Sequence, residues 1–349
     1  MGIIKLPKDS IEIFKNNFIE IFDTGNLAEG KWNEMLSDKI ASLVGSKGSV
    51  PTSSNGAGLM CLFQIYGETE GREIVLLQSN TMYGMYTMAK SSGMQIGGYL
   101  RCNLQTLMPN LDDIKCSLGE FEGREDKIII LLSHMGGILN PDIEEIVNYC
   151  KKINVRVIED CAHSFGATYQ NKHSGLYGDA GVYSFYSTKA VPAGEGGAII
   201  SNQKEIIDMA TRYIKYDRFK RKMDIGNNFR LSEIQALLIY SVINQTNEII
   251  QNKKNIANKY KSVCKELKIK YIDQDIDGHA GNYYKFVIYN LDEEIKSYLP
   301  NLKTKTSEIY DYSLNSDNYV PLHHACLPIW YNQEESITQN AINELKDCF

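Results

Sequence analysis

Short apolar runs alternate with helical patterns between about residue 55 and residue 200, and this alternation constrains the fold more than any other feature. The runs have the length and composition of buried strands, and they are Glu73–Leu77, Lys127–Leu132, Val155–Glu159 and Gly181–Phe185. Between the second and the third, Ile143, Ile146 and Cys150 fall on one face of a helix, and Pro141 suits its first turn. Strands that alternate with helices favour crossover connections and a mostly parallel sheet with both faces covered. The sequence therefore predicts an α/β fold.

The pattern changes after Arg230. Apolar residues there recur at three- and four-residue spacing for longer than one ordinary helix, which predicts one long helix or two. Strand-like segments follow at Asn282–Tyr289 and Cys326–Ile329, and a helical pattern closes the chain. We expect a large domain over residues 1–245, with the N-terminal segment included, and a smaller C-terminal α+β domain over residues 246–349.

Composition and charge disfavour several classes of protein. The 37 basic and 43 acidic residues give a net charge of −6, so no global electrostatic attraction to nucleic acid is expected. The longest aliphatic run, Ile128–Leu132, is far shorter than the roughly 20 residues that a membrane helix needs. The 8 cysteines form no CxxC pair, which favours free thiols in a reducing compartment over disulfides or a metal. We expect a cytoplasmic protein without a metal and without nucleic-acid or membrane partners.

Four features lie at strand ends or helix starts, where α/β proteins bind ligands. Asp160 ends the strand VRVIED, and Lys189 follows the next predicted strand. The segment Thr52–Gly58 (TSSNGAG) opens a helix, whose backbone N–H groups and dipole can hold a phosphate. The loop Gly226–Ala236 (GNNFRLSEIQA) opens another helix, with Ser232 as its cap. Taken singly, each feature also has an ordinary explanation as a capping carboxylate, a surface lysine, a helix cap or a helix start.

Together these features fit one cofactor, pyridoxal 5'-phosphate (PLP). PLP needs a lysine for its aldehyde, an anion site for its phosphate and a carboxylate that keeps its pyridine nitrogen protonated. Asp160 and Lys189 supply the acid and the amine at neighbouring strand ends, and Thr52–Gly58 supplies the anion site. Partial burial next to Tyr186 and Val191 would lower the pKa of the lysine and make its neutral, nucleophilic amine more available.

Three motifs, in this order, resemble the DegT/StrS family of PLP-dependent nucleotide-sugar aminotransferases: EDCAHSFGATY, GDAGVYSFYSTKAVPAGEGGAI and GNNFRLSEIQA. The resemblance runs from about residue 20 to the segment HACLPIW and so covers nearly the whole chain. It implies the aspartate-aminotransferase type of fold (fold type I), with a mostly parallel seven-stranded sheet flanked by helices in a large domain and a smaller C-terminal domain. It also implies a homodimer with active sites shared between the two subunits.

The resemblance assigns roles to single residues. Lys189 would bind the aldehyde of the cofactor covalently and would move protons once the substrate displaces it. Asp160 would pair with the pyridinium nitrogen, and His163 would lie beside the phenolic oxygen. The other expected cofactor contacts are Ser184, the backbone of Gly56 and Ala57, Asn228 of the partner subunit, and Met82.

Two positions depart from the pattern of the family. Ala57 stands where a threonine is frequent, so one hydrogen bond to the phosphate, worth about 1 kcal/mol, is missing or comes from Ser53 or Ser54. Met82 stands where an aromatic residue usually stacks on the cofactor ring, and Tyr83 follows it. We expect Met82, rather than Tyr83 through a shift of register, to lie against the ring, because a thioether can pack on a ring face.

Lysine at position 189 favours transamination, because relatives that dehydrate sugars carry histidine there. The resemblance implies that an amino acid, with glutamate as the expected donor, gives its amine to a keto sugar linked to a nucleotide. The setting would be the biosynthesis of deoxyaminosugars and polysaccharides. Two other functions stay open: a catalytically silent PLP-binding protein, and a PLP-dependent sugar dehydratase or aldolase.

The substrate contacts implied by the resemblance are less defined. The candidates are Thr24, Gly25, Arg230, His323 and His324. Zinc at the two histidines is disfavoured, since Cys326 is the only neighbour of ligand type. The loops Tyr213–Asp224 and Thr304–Tyr319 are expected to determine which sugar and which nucleotide are accepted.

Overall fold

The computed structural model of the chain describes residues 4–216, 224–306, 309 and 319–349. The two loops expected to set substrate specificity, Tyr213–Asp224 and Thr304–Tyr319, therefore lie largely outside the described residues.

Thirteen strands are present in the described part of the chain. They are β1 (Gly48–Thr52), β2 (Ile74–Gln78), β3 (Gln95–Leu100), β4 (Ile128–Ser133), β5 (Arg156–Cys161), β6 (Thr168–Tyr169), β7 (Lys172–His173), β8 (Ala180–Ser184), β9 (Gly197–Ser201), β10 (Lys270–Tyr271), β11 (His279–Ala280), β12 (Phe286–Tyr289) and β13 (His324–Leu327).

Twelve α-helices accompany them within the same residues. They are α1 (Lys8–Thr24), α2 (Lys31–Val44), α3 (Asn55–Glu70), α4 (Gly84–Ser91), α5 (Leu111–Leu118), α6 (Ile143–Lys152), α7 (Lys204–Tyr213), α8 (Glu233–Ile243), α9 (Thr246–Glu266), α10 (Ile295–Tyr298), α11 (Tyr319–Leu322) and α12 (Glu335–Lys346). Two short 3₁₀ turns, Gly119–Phe121 and Glu125–Lys127, precede β4.

The central sheet has seven strands in the order β1-β9-β8-β5-β4-β2-β3. Strand β9 runs antiparallel to both of its neighbours, and the pairs β8–β5, β5–β4, β4–β2 and β2–β3 are parallel. Every residue of β2, β4 and β8 is buried, as expected for strands covered on both faces. The prediction of a mostly parallel α/β sheet is confirmed.

The four strands predicted in this region are confirmed to within two residues at either end. Helix α6 is confirmed too, with Ile143, Ile146 and Cys150 buried on one face. It begins at Ile143, however, so Pro141 lies before the helix and not in its first turn. The backbone N–H of Ile143 donates to Asn140 O (3.1 Å), which places the turn ahead of the helix.

The long pattern after Arg230 forms two helices, α8 and α9. Ser232 caps the first as predicted, because its Oγ accepts a hydrogen bond from Gln235 N (3.3 Å). A separate apolar cluster is built from residues between 256 and 345. Helix α9, the sheet β10-β12-β13 and helix α12 contribute its side chains. The boundary at residue 245 stays a prediction.

Strand β12 is shorter than the predicted Asn282–Tyr289, since it begins only at Phe286. Residues 282–285 bond elsewhere: Asn282 N donates to Gly137 O (3.0 Å), and Lys285 N donates to Gly136 O (2.8 Å). These bonds tie the segment to the loop after β4. Strand β13 starts two residues before the predicted Cys326.

None of the eight cysteines, all of which lie in the described residues, forms a disulfide, and six of them are buried. Among the described residues, no helix combines the length and the hydropathy needed to cross a bilayer.

Candidate active site

A cavity of about 1050 Å³ opens at the carboxyl ends of the parallel strands. Side chains at or just after four strand ends line it: Thr81 after β2, His134 after β4, Asp160 in β5 and Ser184 at the end of β8. The start of α3 contributes Ser54, Asn55 and Gly56. Residues from the C-terminal part, including Tyr284, Lys285 and Trp330, form another wall. The expected position for ligands in an α/β sheet is thus where the cavity lies.

Asp160 is held rigidly at the base of this cavity and is only 5% exposed. Its Oδ1 accepts hydrogen bonds from Asn55 Nδ2 and from Ala162 N (both 3.1 Å). Its Oδ2 accepts one from Ser133 Oγ (3.1 Å). Ser133 reaches Asp160 because the two residues are register partners on the paired strands β4 and β5. Three donors therefore fix the orientation of the carboxylate.

Lys189 lies in the turn between β8 and β9 and lines the same cavity. Its backbone N–H donates to Tyr186 O (2.9 Å), which closes the turn. Its Nζ lies 5.2 Å from the centre of the Tyr284 ring. The pKa of Lys189 is lowered to about 8, chiefly by burial; the carboxylate of Asp160 opposes this shift, and the charge of Lys285 adds to it. A substantial neutral fraction of this amine therefore exists near physiological pH.

His163 follows β5, and its ring packs on that of Tyr284 with 4.3 Å between the ring centres. Burial, and to a lesser extent the charges of Lys189 and Lys285, hold the pKa of His163 well below its usual value. The imidazole is therefore neutral at pH 7. Its buried Nδ1 has no hydrogen-bond partner among the described residues, so one polar atom of the cavity is left for a ligand.

The start of helix α3 presents backbone to the cavity. Ser54 caps the helix, because its Oγ accepts a hydrogen bond from Ala57 N (3.1 Å). A Cβ on Gly197 would lie 2.5 Å from Ser54 C and 2.6 Å from Asn55 N, so only glycine lets β9 approach the helix this closely. Gly56 lines the cavity, whereas Ala57 is buried and its N–H is bonded to the cap. Their contacts to a phosphate stay predictions.

Residues 8–326 match the model of the DegT/DnrJ/EryC1/StrS aminotransferase family. The chain belongs to this family. The family is one of PLP-dependent aminotransferases, so PLP is the cofactor that membership implies and amino-group transfer is the reaction class.

Comparisons with individual proteins agree with this family assignment. The chain is 24% identical over 260 residues to the UDP-4-amino-4,6-dideoxy-N-acetyl-beta-L-altrosamine transaminase of Helicobacter pylori, which covers 72% of this chain and 67% of the relative. It is 22% identical over 282 residues to the GDP-perosamine synthase of Vibrio cholerae, with 79% and 74% covered. A crystal structure of a DegT DnrJ EryC1 StrS aminotransferase from Brucella abortus superposes with a TM-score of 0.85 at 18% identity, covering 97% of this chain and 95% of the other. That last similarity shows the fold of the DegT/DnrJ/EryC1/StrS family.

Met82, which stands where the family usually has an aromatic residue, lines the cavity and is 57% exposed. Met85 and Met88 line it as well, so three thioethers share this wall. Tyr83 stacks on Tyr86 instead (5.4 Å between ring centres) and is not among the lining residues. That Met82 packs on the cofactor stays a prediction.

Asn228 and Arg230 are not among the residues that line this cavity. Arg230 Nε donates to Asn228 Oδ1 (2.8 Å), and its NH1 forms an ion pair with Glu29 (3.0 Å). Thr24 and Gly25, at the C-terminal end of α1, do not line it either. Asn228 was predicted to act from the partner subunit, and the predicted roles of all four residues stay predictions.

The two histidines of the C-terminal part also lie outside the cavity lining. His324 is buried in β13; its Nε2 accepts a hydrogen bond from Ile309 N (2.9 Å), and its Nδ1 bonds to Val320 O. His323 Nδ1 bonds to Asn290 O (3.0 Å). These bonds give both rings a structural explanation, and a substrate contact by either stays a prediction.

A buried cluster of His134, which lines the cavity, with Glu159 and Cys161 has the composition of a metal site. His134 Nδ1 accepts from Asn140 N (3.1 Å), so its Nε2 carries the proton that it donates to Glu159 Oε2 (2.7 Å). The same carboxylate accepts three backbone N–H groups, from Gly175, Tyr177 and Gly178. These hydrogen bonds saturate the carboxylate and account for the cluster as a tie between strand ends.

Sequence reasoning missed four residues that shape the site, namely Asn55, Ser133, Tyr284 and Lys285. Asn55 was visible as the polar residue at the start of α3, and Ser133 as the residue that ends β4. No local signal marks Tyr284 or Lys285, because both reach the cavity through long-range contacts.

Proposed function

We propose that this protein is a PLP-dependent aminotransferase that moves an amino group from an amino acid, with glutamate as the expected donor, to a keto sugar linked to a nucleotide. The family gives the reaction class. The names of two relatives, one a UDP-linked and one a GDP-linked sugar enzyme, support a nucleotide sugar as the acceptor. The observation that carries the proposal is that Lys189, Asp160 and His163 all line one cavity.

The polar groups of the cavity fit PLP. Lys189 would hold the aldehyde, Asp160 the pyridine nitrogen and His163 Nδ1 a ring substituent, while Ser184 and Gly56 would hold the phosphate at the start of α3. PLP supplies an electron sink that lets a proton leave the carbon bearing the amine. The volume of about 1050 Å³ is at the upper end for ligand sites, which leaves room for a substrate beside the cofactor.

The residues of the chain would perform the remaining work. Asp160, fixed by Asn55 and Ser133, orients its negative charge into the base of the cavity and would keep a bound ring nitrogen protonated. Lys189, with a pKa of about 8, can take up and return a proton at its Nζ near neutral pH, as a general acid–base group requires.

Apolar side chains close the space around these polar groups. Met85, Met135, Ile309, Ile329 and Trp330 line the cavity. They limit access of water to the amine and the carboxylate, which strengthens the electrostatic interactions between these groups and protects a reactive complex from hydrolysis.

We infer a homodimer from the residues that lie elsewhere. The resemblance to the family places four residues at the site that do not line the cavity of the same chain: Thr24, Gly25, Asn228 and Arg230. A second copy that presents this surface to the cavity of the first would account for both facts.

Separated half-reactions test the proposal. We expect excess glutamate to remove the visible absorption band of the PLP-loaded protein and to yield 2-oxoglutarate, and a keto nucleotide sugar to restore the band. A band that persists with glutamate and with every other common amino acid would instead indicate a silent binder. A product that has lost water or a carbon fragment would indicate a dehydratase or an aldolase.

A further inference from the structure

Tyr284 lies at the centre of a group of charged and aromatic side chains in the cavity wall. Its ring centre is 5.2 Å from Lys189 Nζ and 5.4 Å from Lys285 Nζ, and the His163 ring packs on it. Thr188, the residue before Lys189, lines the cavity together with Tyr284. One ring from the C-terminal part thus contacts the lysine turn of the large sheet.

The backbone of this segment is fixed by several hydrogen bonds. Asn282 Oδ1 accepts from Tyr284 N (2.8 Å), and Lys285 N donates to Gly136 O (2.8 Å). The carbonyl of Lys285 accepts from Gln274 Nε2 (2.8 Å). Tyr283 has a positive φ of 51°, an uncommon conformation that persists because these contacts hold it. The base of the Lys285 side chain is therefore held in one place relative to the ring.

Several elements place titratable groups around Lys189. Asp160 and His163 come from the end of β5, Lys285 and Tyr284 from the segment before β12, and the other lining residues that carry charge are Glu195, Lys303 and Lys305. Lys253 on α9, only 3% exposed, lies behind these with its Nζ 5.9 Å from the Tyr284 ring. Besides Lys189, three described lysines and two carboxylates line the cavity. Asp160 raises the pKa of Lys189 and Lys285 lowers it, so the two charges oppose each other at the same amine.

We propose that Lys285 is a positioning residue: its ammonium group, held with that of Lys189 at the Tyr284 ring, disfavours protonation of Lys189 and keeps the nucleophilic amine available at neutral pH. The inference deepens the proposed function, since it concerns the lysine on which that function rests. The two Nζ atoms lie 5.2 and 5.4 Å from the same ring centre. Like charges around one ring repel each other, and a partly buried site screens the repulsion less than water does.

The electrostatics of the neighbouring groups support this role. Burial is the largest cause of the lowered pKa of Lys189; the carboxylate of Asp160 opposes it, and the charge of Lys285 acts in the same direction as burial. The same charge contributes to the lowered pKa of His163 and of Lys253, where burial is again the larger cause. One side chain therefore acts on three groups around a single ring.

Removing the charge of Lys285 should raise the pKa of Lys189, because the ammonium form loses a repulsive neighbour. A rise of about half a pKa unit would reduce the neutral fraction at pH 7 roughly threefold. We expect an amine-reactive reagent to label Lys189 of the cofactor-free protein about threefold more slowly in Lys285→Met, as measured by mass spectrometry of the Lys189 peptide across a pH series. Lys285→Gln should give the same result, and Lys285→Arg should retain the wild-type midpoint.

Lys303→Met is the matched control, since it removes another lysine from the same cavity wall that is not among the causes of the shift at Lys189. Its labelling midpoint should stay within experimental error of the wild type. A midpoint unchanged in both Lys285→Met and Lys285→Gln, or equally raised in Lys285→Arg, would overturn the proposal. Because the assay needs neither cofactor nor substrate, its outcome is separate from that of the half-reactions that test the proposed function.

Discussion

Replacement of Lys189 by alanine should abolish the visible absorption band of the PLP-loaded protein and slow transamination by a factor on the order of 10⁴ or more, since both the covalent anchor and the acid–base group are lost. Lys189 is the lysine in the cavity whose pKa, lowered to about 8, suits both tasks. Absorption spectra of the purified, cofactor-loaded variant and initial rates with a keto nucleotide sugar would measure the two effects.

Two further variants serve as controls. Lys189→Arg keeps the positive charge but cannot anchor the cofactor, so it should lose the band as well. Lys204→Ala removes an exposed lysine that pairs with Asp208 on α7 and does not line the cavity, so its spectrum and rate should match the wild type. An undiminished band in Lys189→Ala would contradict the assignment of this lysine.

Asp160→Asn should slow the amino-acid half-reaction by about 10²–10³-fold, which is the usual cost of removing one preorganised charge from an active site. Asparagine has nearly the same shape, so the variant should fold and should still bind PLP. The change removes the negative charge that would keep the pyridine nitrogen protonated, and it replaces one of the two oxygens that accept from Asn55 and Ser133. Stopped-flow absorption with excess glutamate measures the rate.

Asp179 provides a control carboxylate, because it lies next to the paired strands β5 and β8 but does not line the cavity. Asp179 precedes β8 and forms an ion pair with Arg156 (2.7 Å). Asp179→Asn should lower the thermal midpoint and leave the half-reaction rate close to that of the wild type. If Asp160→Asn reacted as fast as Asp179→Asn, the carboxylate of Asp160 would have no part in the chemistry.

The large sheet was predictable from sequence because its strands are fully buried. Residues such as Ile128–Leu132 form continuous apolar runs, and the helix at Ile143–Lys152 separates two of them with a different period. Asp160 and Lys189 follow two of these runs, so their meeting at one sheet edge follows from the pairing of parallel strands. This part of the site was predicted from local patterns alone.

The other wall of the cavity could not be predicted in this way. The segment NYYKFVIY has the aromatic and β-branched residues typical of a strand, yet Asn282 and Lys285 within its first half bond to the loop at Gly137 and Gly136. Those long-range bonds, rather than any preference of the residues, bring Tyr284 and Lys285 to Lys189. His324 is occupied by a local bond to Val320 and by one to Ile309, 15 residues away, and neither bond is visible as a sequence pattern. A pair of histidines therefore looked available for a substrate.

The segment Thr52–Gly58 is an intermediate case. Sequence indicated that Thr52–Gly58 opens a helix and that Ser53 or Ser54 could replace a missing hydroxyl. Only the structure shows that Ser54 Oγ is the helix cap and that it already accepts from Ala57 N. Which of its backbone groups face the cavity depends on the close approach of Gly197 in β9, a contact between residues far apart in the chain.

Nitrogen tracing tests the central claim most directly. The PLP-loaded protein is incubated with glutamate labelled with heavy nitrogen and with a keto nucleotide sugar, and the sugar product is analysed by mass spectrometry. The account predicts an aminated nucleotide sugar that carries the label, together with an equal amount of 2-oxoglutarate. A nucleotide sugar recovered unchanged with all common amino acid donors, or one that has lost water without gaining nitrogen, would contradict it.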